Sequence, residues 1–364
     1  MVGARQARGR KRFVRRKWQL VGLSVLALIV LWWFGRGLDW GMVRGALRAT
    51  DWRLVAVAVG LVCSTYVIRS FRWRALLTPL AAARFADLFA ATTVGFGAIF
   101  AIGRTGEILR PTFLSFRDRR VSPTASFVTI GLERIYDMAA IVLMFAANLL
   151  WFAPSVASAQ RLAQVHFAGA VLFAGAVIGI GTLILFRFSA GRIVRVAKRA
   201  SGGWPRWAQR TVGFGVRFIE QSARALSVLV DGRALAITVG WTALLWAAIA
   251  AADLLVLRAF GLPFGIGETI FVMGWALVGS LVPTPGGAAG AFHAATAAGL
   301  IFLGVGREQS AAVAIVMHLV LFGPALFFGL YFFLRSGLDL VRLWDEAARE
   351  AEEAERESSA LVER

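Results

Sequence analysis

The stretch "ADLFAATTVGFGAIFAIGRTGEILRPTFLSFRDRR" (86–120) decides how the chain is read. Up to residue 103 it is almost entirely apolar or small. Arg104, Glu107 and Arg110 then recur at every third position, Pro111 follows, and a basic "RDRR" closes the run at 117–120. The basic residues on either side, Arg69, Arg72 and Arg74 before it and "RDRR" after it, place both ends on one side of a membrane. A segment that starts and finishes on one side enters and returns. The expectation is therefore a re-entrant hairpin over 86–116. Irregular backbone at membrane depth is tolerated only where it is buried in protein or lines a cavity.

Composition sets the frame around that stretch. The 364 residues are 58% hydrophobic with a mean hydropathy of +0.69. Such values, carried by long apolar runs, mark a polytopic membrane protein and overrule the two soluble domains that length alone would allow. The net charge is +19. Its basic residues concentrate between apolar runs and before the first, as "RQARGRKRFVRRK" (5–17) shows, so the charge is a topology signal that also attracts anionic lipid headgroups. No aromatic-basic interleaving or binding motif accompanies it, and no nucleic-acid partner is expected. The lone Cys63 excludes a disulfide within the chain. His166, His293 and His318 lack metal-ligand spacing, so no metal and no cofactor are expected.

Six full spans follow from the apolar runs: 18–35, 54–70, 125–152, 167–186, 235–257 and 311–334. The first is an uncleaved anchor behind a basic cytoplasmic N-terminus, 1–17. Residues 187–234 carry ten Lys and Arg against Glu220 and Asp231, and read as an amphipathic interfacial segment. A second broken apolar stretch, 267–305, consists of two half-length pieces around a Pro-Gly break. The tail from Arg335 holds five arginines against nine carboxylates, and 338–364 is expected to be an acidic cytoplasmic tail. The fold class is thus all-α polytopic: six transmembrane helices plus two re-entrant helical hairpins, with the membrane domain spanning 18–337. The order span, broken pair, span appears twice. Hydropathy alone points to an inverted repeat, since the halves show no convincing residue-level identity. Interrupted segments at corresponding places in two halves point to a transporter binding site.

Three constellations could carry chemistry. In the first, Arg104, Glu107 and Arg110 share a helix face, two guanidiniums flank one carboxylate, and Pro111 ends or kinks the segment. One surplus positive charge with planar donor forks suits a phosphate; the bland alternative is a basic cap on an ordinary span. In the second, "GLERIYDMAAIV" (131–142) sets Glu133, Arg134 and Asp137 about ten residues into an apolar helix, where each charge costs at least ~2.5 kcal/mol. Glu133 and Asp137 share a face, Arg134 and Asp137 can pair, and one negative charge is left for the Arg104/Arg110 surplus. A purely structural network is the alternative. In the third, "VPTPGGAAGAFHAAT" (282–296), Pro283 and Pro285 break the helix and Gly286, Gly287 and Gly290 permit unusual backbone. A helix starting there offers free N–H groups to an anion, with His293 either a donor or a packing residue. Asp253 and Glu268 are placed at membrane ends. No nucleophile motif, P-loop or zinc motif appears, so no catalytic residue is assigned.

"GRTGEILRP", "LERIYD" and "VPTPGG", in that order, resemble the flippase-like family: the transmembrane region of lysylphosphatidylglycerol synthases and its stand-alone relatives. The resemblance covers Asp51 to Gly337. It implies a multi-pass inner-membrane protein, both termini cytoplasmic, that moves or handles a polar lipid. By position Gly106, Glu107, Arg110 and Pro111 match the first motif, Glu133, Arg134 and Asp137 the second, and Pro285, Gly286 and Gly287 the third. Relatives commonly carry a Glu after the Pro-Gly turn where this chain has His293, which puts a proton-coupling role there in doubt. No cytosolic synthetase domain is recognised, so aminoacyl transfer is not expected. The expected function is translocation of an anionic or polyprenyl-phosphate-type lipid, its headgroup held by Arg104, Arg110 and Arg134. Two readings stand beside it: a membrane enzyme modifying a lipid carrier, which would depend on a divalent metal, and an anchor for an envelope-biosynthesis partner through the acidic tail.

Overall fold

The computed structural model describes residues 28–78, 80–121, 123–151, 232–282 and 284–336, together with Val25 and scattered positions between 167 and 199. Outside the described residues lie the basic N-terminus, most of the first half of the 18–35 span, much of the 167–186 span, most of the basic segment 187–234, Pro283, the tail 338–364 and the side chain of Arg104.

Every element among the described residues is helical, and none is a strand. Residues 28–35 are helical. They lead to α1 (Trp40–Arg48) and α2 (Trp52–Leu77), each opened by an Asp-Trp pair. The Asp39 carboxylate accepts from Gly41 N at 2.8 Å, and the Asp51 carboxylate from Arg53 N at 2.9 Å. Each cap satisfies an orphan donor of its helix. Next come α3 (Phe85–Ile102), a 3₁₀ turn (Gly103–Ile108), α4 (Leu109–Arg117) and α5 (Pro123–Trp151). The second half holds α6 (Gly232–Ala259), α7 (Ile266–Ser280), a short α8 (Pro285–Ala288), α9 (Ala291–Phe302) and α10 (Arg307–Arg335).

Four of these helices, α2, α3, α6 and α10, are long and apolar enough to cross a membrane. At 26 residues α2 spans about 39 Å, more than the ~30 Å of hydrocarbon. The 54–70 reading was too short, because nothing between Ser70 and Pro79 breaks a helix. The chain is therefore a multi-pass helical membrane protein.

Both broken stretches fold back on themselves. A Cβ on Gly95 would meet Arg110 Cβ at 2.6 Å, and one on Gly106 would meet the Ala98 carbonyl carbon at 2.4 Å. These pairings run in opposite directions along the chain, so the 3₁₀ turn and α4 return antiparallel along α3. Gly106 must be glycine, since the atom in its way is backbone. Pro111 neither ends nor kinks a helix: it occupies the first turn of α4, where helix N–H groups have no intrahelical acceptor. The second hairpin repeats the device. Gly279 packs on Ala291 and Ala295 while Gly299 packs on Trp275, so α7 and α9 are antiparallel around α8. Gly286 and Gly287 take φ of 75° and 64°, a left-handed turn for which glycine is suited. The two hairpin tips touch, for α8 packs on α3 and on the 3₁₀ turn. Phe100 of α3 lies against Gly287.

α2 and α6 pair antiparallel along their lengths. Asp51 N donates to Ala259 O at one end (2.9 Å), and Arg72 reaches Thr242 near the other. The apolar core runs between α2, α6, the α7–α9 hairpin and α10.

Candidate functional site

A cluster of ionisable side chains lies where α2, the first hairpin and α5 meet. Its centre is Arg72 of α2, fully buried. Its two terminal nitrogens donate to the two Asp137 oxygens at 2.6 and 3.1 Å, a bidentate fork. Arg72 Nη1 also reaches Thr242 Oγ1 at 3.3 Å, and Nε lies 3.6 Å from Glu133 Oε1. Arg110 of α4 donates to the other Glu133 oxygen. Trp246 Nε1 of α6 donates to Asp137 at 3.3 Å. Glu133 and Asp137 do share a face of α5, and Arg72 bridges them.

Aromatic rings floor the cluster. The Arg110 guanidinium lies 4.0 Å from the Trp73 ring centroid, and Trp73 Nε1 donates to Thr129 at 2.9 Å. Phe96 of α3 has three guanidiniums within 6.0 Å of its centroid, from Arg69 (4.6 Å), Arg134 (5.9 Å) and Arg110 (6.0 Å). Cation–π attraction of this kind strengthens when the cation is desolvated.

Arg134 pairs with Glu107 of the 3₁₀ turn at 2.6 Å and with Asp137 at 3.6 Å. Arg69 stands 4.0 Å from Asp137. The cluster thus divides in two. Arg72, Arg110, Glu133 and Asp137 are sealed and sum to zero. Arg69, Arg134 and Glu107 keep 13%, 39% and 30% of their side-chain surface, and sum to one positive charge. Donors are also left over: Arg69 Nε, Arg110 Nε and Arg110 Nη2 are buried without a hydrogen-bond partner among the described residues. An anion would meet both the surplus charge and the unused N–H groups.

The structure brings together Glu107, Arg110, Glu133, Arg134 and Asp137 as the sequence suggested. It also adds Arg69, Arg72, Trp73, Thr242 and Trp246. Arg69 and Arg72 were taken for a cytoplasmic cap after the span, whereas the helix continues to Leu77 and carries Arg72 into the interior. An unbroken helical run through "RSFRWRALL" (69–77) was the signal for this.

Gly286, Gly287 and His293 form a separate group. His293 Nδ1 accepts from Gly290 N at 3.1 Å, so it caps its own helix instead of leaving that donor for an anion. His318 Nε2 lies 3.2 Å from Gly287 O, and must carry the proton to donate to it. The two imidazoles sit 4.6 Å apart between centroids. This group is linked to the arginine cluster through α3, where Phe100 contacts His318 and Phe96, one turn away, lies under the guanidiniums, and through the packing of α8 on the 3₁₀ turn that carries Glu107. Glu268 caps α7 by accepting from Gly265 N at 3.0 Å. Asp253, six residues before the end of α6, is 1% exposed.

The profile of one family, described as the lysylphosphatidylglycerol synthase TM region, matches residues 19–329. The chain belongs to this family. The match covers both hairpins and every residue of the cluster, and makes this a lipid-related membrane protein. No curated protein and no solved structure matches the chain.

Proposed function

We propose that the chain is a lipid translocase of the cell (inner) membrane, with the open half of the arginine cluster as its headgroup site. The observation that carries this reading is the net positive charge of Arg69, Arg134 and Glu107, beside buried guanidinium N–H groups that have no acceptor among the described residues. Burying an uncompensated charge in a membrane protein is costly, so the cluster favours a ligand that brings one negative charge. A phosphodiester fits: it offers two acceptor oxygens to planar donor forks. The acyl tails would stay in the bilayer while the headgroup passes between the hairpins, which the reading takes to be re-entrant. The termini face the cytoplasm by the distribution of basic residues. Partly exposed pairs such as Arg134 with Glu107 can exchange a carboxylate for a phosphate without unfolding the sealed half.

The test is native mass spectrometry of the protein with its co-extracted lipids, wild type beside Arg134→Ala. The expected result is an anionic phospholipid class retained by the wild type and lost from the variant. Identical lipid profiles for two equally folded proteins would refute the site.

A further inference from the structure

Asp253 is a buried carboxyl group that the headgroup site does not use. Both its carboxylate oxygens are buried, and neither has a hydrogen-bond partner among the described residues. It is surrounded by core: Ala252, Val256 and Leu257 beside it on α6 are all fully buried. The helices packed on α6 are α2, α5, α7 and α10. On α2 the interior ionisable groups are Cys63, Tyr66, Arg69 and Arg72; on α5 they are Glu133, Arg134, Tyr136 and Asp137. Glu268 of α7, with Glu308 and His318 of α10, completes the set. Apart from the part-buried Glu308 the arginines and carboxylates among them are engaged with one another or with a backbone amide, and none of the set hydrogen-bonds or ion-pairs with Asp253. Among the described residues nothing offsets the cost of an ionised carboxylate in such a place, which favours the neutral acid.

Its position ties it to the cluster. Thr242, Trp246 and Asp253 are spaced at i, i+4 and i+11 on α6, which puts them on one face. Thr242 hydrogen-bonds Arg72 and Trp246 hydrogen-bonds Asp137. Asp253 lies seven residues beyond Trp246, about 10 Å along the same helix. A rigid shift of α6 that hydrates Asp253 also pulls on the bonds from Thr242 and Trp246 to the sealed pair.

We propose that Asp253 is a proton-binding site that couples headgroup movement to proton movement through α6. In the conformation described here the proton is held as the O–H of the carboxylic acid. When α6 shifts and water reaches the group, that O–H bond breaks, the proton passes to water, and the carboxylate stays hydrated until it is reprotonated. One proton is taken up and released per cycle, with no other reactant. The coupling rests on the translocase reading above; the proton on Asp253 does not.

Two measurements on the full-length protein test this. The first is infrared difference spectroscopy of purified wild type minus Asp253→Asn at pH 7, with Asp253→Leu as a second variant that removes the acid without needing a polar partner. The expected result is a carboxylic-acid C=O band present only in the wild type. A difference spectrum showing a carboxylate, or no carboxyl band, overturns the proposal. The second uses proteoliposomes of phosphatidylcholine and phosphatidylglycerol with a fluorescent phosphatidylglycerol probe. A one-unit pH gradient is expected to bias the probe's distribution by up to about tenfold for one proton per lipid in the wild type, and not at all in Asp253→Asn. A protonated Asp253 with the same gradient-independent exchange in both proteins shows a structural acid and overturns the coupling. No probe movement by the wild type at all overturns the translocase reading and the coupling together, while the infrared band still decides whether Asp253 holds a proton.

Discussion

Arg72→Ala removes the group on which the sealed half of the cluster depends. The side chain provides the 2.6 and 3.1 Å bonds to Asp137, the 3.3 Å bond to Thr242 and the 3.6 Å approach to Glu133. Deleting one partner of a buried ion pair typically costs 3–5 kcal/mol, because an uncompensated charge remains. Here the loss is cushioned. Glu133 keeps Arg110, and Asp137 keeps Trp246 at 3.3 Å, Arg134 at 3.6 Å and the more distant Arg69. The lower end, about 3 kcal/mol, is therefore expected, a large share of a typical total stability of ~5–15 kcal/mol. The assay is equilibrium unfolding in mixed micelles for Arg72→Ala, Asp137→Ala and the double variant. Removing both charges leaves nothing unpaired between them, so the double variant should be more stable than the sum of the single effects by at least about 1 kcal/mol. Arg72→Lys should recover little, since an ammonium cannot reproduce the two-pronged contact. Single effects that add to within ~0.5 kcal/mol, or an Arg72→Ala midpoint equal to wild type, would refute the picture of one coupled network.

Two further predictions concern the first hairpin and its flank. Gly106→Ala puts a methyl 2.4 Å from the backbone of Ala98, so α3 and the 3₁₀ turn must separate; a loss of about 1–3 kcal/mol is expected, seen as a lower thermal midpoint. Asp118, between α4 and α5, is held at about 2 by its hydrogen bond to Arg120, below the ordinary 3.8. A carboxyl lowered on folding contributes stability above its ordinary value and loses it as pH falls toward the folded one. The stability gap between wild type and Asp118→Asn should therefore be constant above pH 5 and close between about pH 4 and 2, measured by acid unfolding. A gap unchanged down to pH 2 would remove the assigned role of Arg120.

The parts of the site that could be read from the sequence were those that break a local rule. Glu133, Arg134 and Asp137 stand out because charges are costly in the middle of an apolar helix. The tips at 103–111 and 282–290 stand out because Pro and Gly interrupt apolar runs. Arg69 and Arg72 broke no such rule. A basic residue at the end of an apolar run looks like a membrane anchor, and only the pairing of α2 with α5 and α6 makes Arg72 an interior residue. The burial of Asp253 was not legible either, because it comes from packing at the end of α6, where Val256, Leu257 and Ala259 are buried as well. His293 carried an ambiguity that sequence could not resolve, because its partner, Gly290 N, is fixed by a left-handed turn.

The division of the cluster gives the two halves different jobs. The sealed half is neutral, and each of its four groups is paired with at least one other, so it can fold whether or not a ligand is present. The open half is where charge is unbalanced, and its pairs, being partly exposed, are worth little to stability, typically ~0–1 kcal/mol. A ligand can therefore break Arg134 from Glu107 at small cost, while breaking Arg72 from Asp137 would undo the packing of α2 on α5 and α6. It follows that substitutions in the two halves should separate: those at Arg72, Arg110, Glu133 and Asp137 should act first on stability, and those at Arg69, Glu107 and Arg134 first on anion binding. The same separation explains why the hairpin is built with a 3₁₀ turn at its tip. Glu107 then sits at the exposed end of the cluster while Arg110, one helical turn on, reaches the sealed Glu133.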